Sequence, residues 1–405
     1  MKQFELLAPA GDRERFEAAV AYGADAIYLG GKEFGMRAAP SNFDNEQLKW
    51  AVDYAHERGV KVYLTCNTLP RNGEIDRIPE YFKFVNEIGV DALIIADIGV
   101  MSLAKEYAPD VELHVSTQFG ITNYQTANQL YKMGASRVVL ARELSLEEIK
   151  TIRANTPPQL ELECFVHGAM CMSVSGRCLI SNYLIGRDAN RGECAQPCRW
   201  GYYLMEEKRP GEYFPIFEDE QGSYILNAKD MCMIEHLGKM ADAGVTSFKI
   251  EGRAKANYYV AVVTNAYRAA IDLLEKDPEN FVCPQWCIDE VHKVSHRQYS
   301  TGFYFDTPGQ YYQNGGYVRD YEVAFEVTGY ENGCMVGIMK NKFSVGDEIE
   351  ILCPKSQPVC AVVSAIFDEN DQSIENAPHP MMVVKVPFER EIPAGSMVRK
   401  PKAKA

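Results

Sequence analysis

The feature that most limits what this chain can fold into is a short phrase that keeps returning: a glycine, a small or β-branched residue, then an apolar run. It stands at Gly23–Tyr28, Gly59–Tyr63, Gly89–Ile94, Gly134–Val139 and Gly244–Lys249. Glycine supplies the left-handed residue that closes a helix, and the run after it has the length of a buried parallel strand. Upstream of the first two phrases, Phe16, Ala19 and Val20, then Leu48, Val52 and Ala55, fall at helical spacing. The runs Phe4–Ala8, Leu113–Ser116 and Leu160–Phe165 bring the total to eight strands, most separated by one helix. That alternation predicts an α/β fold with a parallel sheet, closed as a TIM-like (β/α)8 barrel. An open doubly wound sheet is the alternative. Against it, the first strand runs into Ala8-Pro9-Ala10-Gly11 and not into a dinucleotide-type glycine turn.

The barrel is expected over residues 1–280, interrupted between its seventh and eighth strands by an insertion at 170–244. Ordinary βα connections are far shorter. Within the insertion, Gly201–Glu207 and Tyr224–Leu226 read as strands of a small antiparallel sheet. A long helix is expected at Tyr258–Glu275, followed by a Pro-containing link over 281–320. From 321 to 400 short strands with turns follow, at Val323–Val327, Met335–Met339, Glu348–Leu352, Val359–Ile366 and Met382–Val386, which predicts a small β-barrel.

Barrel chemistry gathers where the βα loops converge, at the carboxyl ends of the strands. Those ends carry Asn67, Asp97, Gln118, Arg142, Glu143, His167, Glu251 and Arg253. As a ring they suit an anionic small molecule or a nucleotide. Singly, Asp97 and Gln118 also read as helix caps, and Arg142 with Glu143 as a structural ion pair.

The insertion also concentrates sulfur. Cys171, Cys178, Cys194, Cys198 and Cys232 follow one another as C-x6-C-x15-C-x3-C-x33-C. Nothing in the sequence reads as a secretion signal or a membrane span, so the chain is expected in the cytoplasm, where thiols stay reduced and metal or cluster ligation outranks disulfides. Structural zinc favours two tight pairs, whereas a [4Fe–4S] cluster accepts wider gaps. Methionines flank Cys171 and Cys232 on both sides; they read either as a dry wall around a cluster or as core filling. Zinc and plain buried thiols remain the alternatives to a cluster. Cys66, Cys164, Cys283 and Cys287 read as packing residues.

Composition narrows the classes further. The net charge of −14 argues against a generic polyanion binder, although Arg399, Lys400, Lys402 and Lys404 make the tail locally basic. Neither H-E-x-x-H nor G-x-S-x-G occurs. A cysteine protease would have to pair Cys171 with His167, the only nearby candidate.

The stretch Glu163–Ser181, with its Cys164-Phe165-Val166-His167-Gly168-Ala169-Met170-Cys171 core, resembles the signature of the collagenase-like peptidases of unassigned catalytic type. Arg191–Arg199, Lys249-Ile250-Glu251-Gly252-Arg253, Leu7–Gly11 and Gly30–Gly35 fit the same family. The resemblance spans the barrel and extends to the β-rich end. It implies a protein that inserts oxygen: members hydroxylate the wobble uridine of tRNA to 5-hydroxyuridine, a cytidine of large-subunit ribosomal RNA, or ubiquinone. It further implies a [4Fe–4S] cluster on Cys171, Cys178, Cys194 and Cys232, with Cys198 as a possible substitute, and dependence on prephenate. His167, Glu251 and Arg253 then become the candidate catalytic residues, and Asn67, Asp97, Gln118, Arg142 and Glu143 the candidate substrate contacts. The expected partner is the anticodon loop of a tRNA, whose unstacked bases need no duplex opening. Arg187, Arg191, Arg199, Lys208 and Arg209 would supply a basic face. No membrane partner is expected.

Overall fold

Each recurring glycine does end a helix: all five sit at positive φ, between 70° and 104°, and each is followed by a buried strand. The computed structural model describes residues 4–35, 42–170, 180–187, 193–197, 218–219, 222–223, 228–306 and 317–402. Seven parallel strands, β1 (Glu5–Pro9), β2 (Ala26–Gly30), β3 (Lys61–Cys66), β4 (Ala92–Ile95), β5 (Glu112–Val115), β6 (Arg137–Val139) and β7 (Glu161–Ala169), pair in sequence order. A short strand, β8 (Asp230–Cys232), precedes the eighth barrel strand, β9 (Ser247–Ile250), which pairs with both β1 and β7 and closes the cylinder. Helices such as Arg13–Ala21, Asn45–His56 and Asn257–Lys276 surround it. Their starts follow from local chemistry. Asp12, Asp44, Asp97, Asn123 and Ser145 each accept a backbone N–H of the first turn, with full capping boxes at Asp44–Gln47 and Ser145–Glu148.

The lumen of the cylinder is charged. Glu163, fully buried on β7, accepts hydrogen bonds from Lys249 Nζ (2.6 Å) and Arg137 Nη1 (3.1 Å). Arg137 also pairs with Glu5 at 2.5 Å. Burial alone would raise the Glu5 carboxyl, but the Arg137 guanidinium and the Tyr63 hydroxyl hold it down to about 2. The order of the sheet thus rests on side chains from β1, β6, β7 and β9 meeting in one buried network.

β7 outruns the expected strand, continuing to Ala169. Its extra residues pair antiparallel with β8, Cys232 opposite His167 and Asp230 opposite Ala169. Opposite them the register with β9 shifts between Lys249 and Ile250. The strands expected at Gly201–Glu207 and Tyr224–Leu226 lie outside the described residues.

The C-terminal strands form one antiparallel sheet, in the order 359–362, 348–352, 397–401, 321–331, 334–339, 383–387, 366–367 and 373–374. It curls over Phe325, Phe343, Ile351 and Val384. This is the small β-barrel expected, in the form of a half-barrel whose end strands do not pair with each other. Two expectations change here. The supposed link carries the helix Gln285–His292, whose Cys287 and Val291 are packed into the barrel core. The basic tail is in part a core strand, Met397–Pro401. Arg399 is fully buried and clamps Glu290 of that helix (2.5 Å) to Glu350 of the sheet (Nε, 2.9 Å). Tyr22 adds two hydrogen bonds across the same junction, to the carbonyls of Leu352 and Gly395, both 3.0 Å.

Candidate active site at the barrel mouth

The loops leaving β1 to β9 carry the polar residues named from sequence, and the structure gives each a definite neighbour. Arg142, just past β6, donates to the Ala169 carbonyl (2.7 Å) and to Glu251 Oε2 (3.1 Å), and lies over the Phe165 ring at 3.7 Å. Its ion-pair partner, one strand away past β7, is therefore Glu251 and not its sequence neighbour Glu143. Arg253 donates to Asn42 Oδ1 (2.7 Å) and Thr65 Oγ1 (3.3 Å). Its guanidinium occupies the space a side chain on Gly30 would need, which explains the glycine at the end of β2. Arg142 and Glu251 thus make a fixed ion pair at the end of β7, while Arg253, almost fully buried, packs against the ends of β2 and β3. A guanidinium fixed in this way can orient a carboxylate or phosphate without rearranging.

On the other side of the mouth, Asn67 donates to Ser116 Oγ at 3.4 Å, and Gln118 lies in the turn Thr117–Phe119 after β5. Asp97 caps the helix Ile98–Tyr107 through Val100 N (3.0 Å), the structural role its position allowed. Glu143 is half-buried beside Arg142.

His167 departs from the picture drawn for it. It is buried and faces the helix Asn257–Lys276, with Nδ1 3.3 Å from the Tyr267 hydroxyl and Nε2 3.3 Å from that of Tyr299. Burial, then the positive surroundings of His296 and Lys255, hold its pKa well below the usual imidazole value. It is a neutral ring held in a cage of phenols. The cause is the β7–β8 pairing, invisible in the residue spacing. Gly168, at φ +109°, lets the end of β7 approach the residue that follows β9, because a Cβ there would collide with the Glu251 backbone.

Of the cysteine set, Cys194 and Cys232 are among the described residues; Cys171, Cys178 and Cys198 lie outside them, as do Arg191, Arg199, Lys208 and Arg209. Both described thiols are free and partly exposed. Cys232 ends β8, 3.9 Å from the Tyr267 hydroxyl, between the buried Met231 and Met233. Burial pushes this thiol up to about 12, so a thiolate here needs a cation beside it. The Cys232 thiol between two buried methionines is a soft donor, the kind an iron–sulfur group takes. Among the described residues no set of three or more His, Cys, Asp or Glu side chains gathers as a metal site.

Sequence reasoning missed the lumen network of Glu5, Arg137, Glu163 and Lys249. Its signal was present: charges at alternate positions within otherwise apolar strands.

The model of peptidase family U32 matches residues 11–314, and that of the family's C-terminal domain matches 319–399. The chain belongs to peptidase family U32. A Bacillus subtilis relative, named tRNA hydroxylation protein P1, is 37% identical over 99% of this chain and 96% of its own length. An Escherichia coli member, tRNA hydroxylation protein P, is 38% identical, covering 87% of this chain and 86% of the relative. A Methanocaldococcus jannaschii member named an uncharacterized protease is 44% identical over 75% of this chain and 74% of its own. The family name and the members' names therefore point to two different chemistries, between which the mouth must decide. Among the described residues no helix is long and apolar enough to cross a membrane.

Proposed function

We propose that this U32 protein hydroxylates tRNA, forming 5-hydroxyuridine at the wobble position, with a [4Fe–4S] cluster on Cys171, Cys178, Cys194 and Cys232 and with prephenate as co-substrate. The observation that carries the reading is the near end-to-end likeness to a protein named for tRNA hydroxylation. The mouth supports it. A barrel mouth whose strand ends carry Arg142, Glu251 and Arg253 suits an unstacked nucleotide together with a small polyanion. In this reading Arg253 and Arg142 bind anionic groups, and Glu251 holds Arg142 in place while offering its carboxylate to the substrate. When bound, the cluster supplies one-electron chemistry.

His167 belongs to the scaffold of the site. Both of its ring nitrogens face phenols, so it steadies the β7–β8 corner on which Cys232 sits and does not work as an exposed base. That observation also weighs against a peptidase: the only local Cys–His pair would need His167 turned toward a thiol. Nucleoside mass spectrometry of tRNA from a strain lacking the gene tests the proposal. Loss of one oxygen from the wobble uridine is expected; an unchanged nucleoside profile contradicts it.

A further inference from the structure

A buried phenol stands against the candidate ligand Cys232. Tyr267, on the helix Asn257–Lys276, is fully buried. Its hydroxyl donates to the Val166 carbonyl (2.8 Å) and lies 3.2 Å from Met233 N, 3.3 Å from His167 Nδ1 and 3.9 Å from Cys232 Sγ. Val166 and His167 belong to β7, whereas Cys232 ends β8 and Met233 follows it. One oxygen atom thus meets both strands and the sulfur.

The backbone does not need this hydroxyl. Met233 N–H already donates to the Val166 carbonyl at 2.9 Å, so both groups stay paired without it. A phenylalanine would fill nearly the same space and spare the burial of a polar atom, which costs free energy wherever its partners are imperfect. The contact that only the hydroxyl can supply is the one with the sulfur, where it stands beside the Ile234 N–H as a second donor. It also ends a row. Tyr299 faces His167 Nε2 at 3.3 Å, and His167 Nδ1 faces Tyr267. Hydrogen-bonding groups set in a row strengthen one another.

We infer that Tyr267 is a positioning residue for Cys232: its hydroxyl turns from the Val166 carbonyl to the sulfur when that sulfur is a metal-bound thiolate, fixing the ligand and tuning the reduction potential of the group it holds. A thiolate is a stronger acceptor than a neutral carbonyl, and the carbonyl keeps Met233 N–H when the phenol turns away. A hydrogen bond donated to a ligating sulfur draws off negative charge, favours the reduced form and so raises the potential. This role rests on the cluster reading above, to which it adds the side chain that tunes one ligand.

The test is a redox titration of the intact protein, purified without air and followed by electron paramagnetic resonance, with iron counted in every sample. Tyr267→Phe is expected to keep the wild-type thermal midpoint and iron, because no backbone group loses its only partner, and to show a more negative potential. Difluorotyrosine in place of Tyr267 is a stronger donor of nearly the same shape and should move the potential the other way. A phenol that merely fills space would not give shifts of opposite sign. Tyr22→Phe removes another fully buried hydroxyl, one that serves carbonyls of the half-barrel, and should leave the potential unchanged. Loss of iron from a Tyr267→Phe protein of wild-type thermal midpoint also supports the role, as failure to fix the ligand. Should Tyr267→Phe not fold, the difluorotyrosine protein decides alone. A wild-type potential in that protein, or in iron-loaded Tyr267→Phe, overturns the role and leaves the cluster reading in place. A wild-type protein without iron removes the cluster reading, and this role with it.

Discussion

Removing the Arg399 side chain should unfasten the half-barrel from the barrel. The guanidinium is fully buried and serves Glu290, itself 2% exposed, and Glu350 at once, with the Tyr258 hydroxyl 3.2 Å away. Arg399→Ala would leave Glu290 in the interior with Lys293, 3.1 Å distant, as its remaining ionic partner. Breaking a buried ion pair by deleting one member costs about 3–5 kcal/mol. Because Lys293 also reaches Glu350 at 2.9 Å and stays in place, we expect the lower end, about 3 kcal/mol. Urea slopes reach about 3 kcal/mol per M even for small proteins, so the midpoint should fall by about 1 M. Urea unfolding followed by circular dichroism measures this, with limited proteolysis reporting whether the half-barrel is released first. The double variant Arg399→Met, Glu290→Leu should recover most of the loss, since the stranded carboxylate is gone. A wild-type midpoint for Arg399→Ala would rule out the clamp and return Arg399 to a solvated basic tail.

Two further outcomes follow from the barrel itself. Glu5 is held down to about 2 from the ordinary 4.5 by Arg137; its share of stability is therefore complete above about pH 4.5 and lost as the pH falls through about 2. At about 1.4 kcal/mol per unit this share is on the order of 3 kcal/mol, so Glu5→Gln should lower the urea midpoint at pH 6 and flatten its fall between pH 4.5 and 2.5; an unaltered pH profile would contradict the lumen network. Gly168→Ala forces a Cβ against the Glu251 backbone at φ +109°. It should cost at least 1–3 kcal/mol and displace the Arg142–Glu251 pair, which a thermal melt and a crystal structure of the variant would reveal; a variant as stable as wild type would show that the close approach is not required.

The barrel was legible because glycine-ended helices and buried parallel strands leave a periodic mark, and that mark fixed the places of Asn67, Arg142, Glu251 and Arg253. Partnerships were not legible. Arg142 meets Glu251 over the end of β7, because closure of the cylinder puts β9 beside that strand, and nothing in the spacing of either residue encodes the contact. The surroundings of His167 were hidden for a related reason: an antiparallel strand supplied sixty-odd residues later turns the end of β7 toward a helix (Cys232 opposite His167). Arg399 was misread because a lysine- and arginine-rich tail looks solvated by composition, whereas one of its cations had a buried and a half-buried carboxylate waiting. The reading of the cysteines as a set depended on spacing and on likeness to a family, since Cys171, Cys178 and Cys198 lie outside the described residues.

Cys232 joins the chemistry to the fold most directly, because it is the candidate ligand that β8 anchors against the mouth. In a strain whose wobble uridine lacks the added oxygen, the wild-type gene and a Cys232→Ser version should be compared at equal soluble protein, with iron measured in both proteins and nucleosides in the tRNA. The wild type is expected to restore the oxygen and carry iron while Cys232→Ser does neither. Full restoration by the iron-poor Cys232→Ser protein, or no restoration by the wild type, would contradict it.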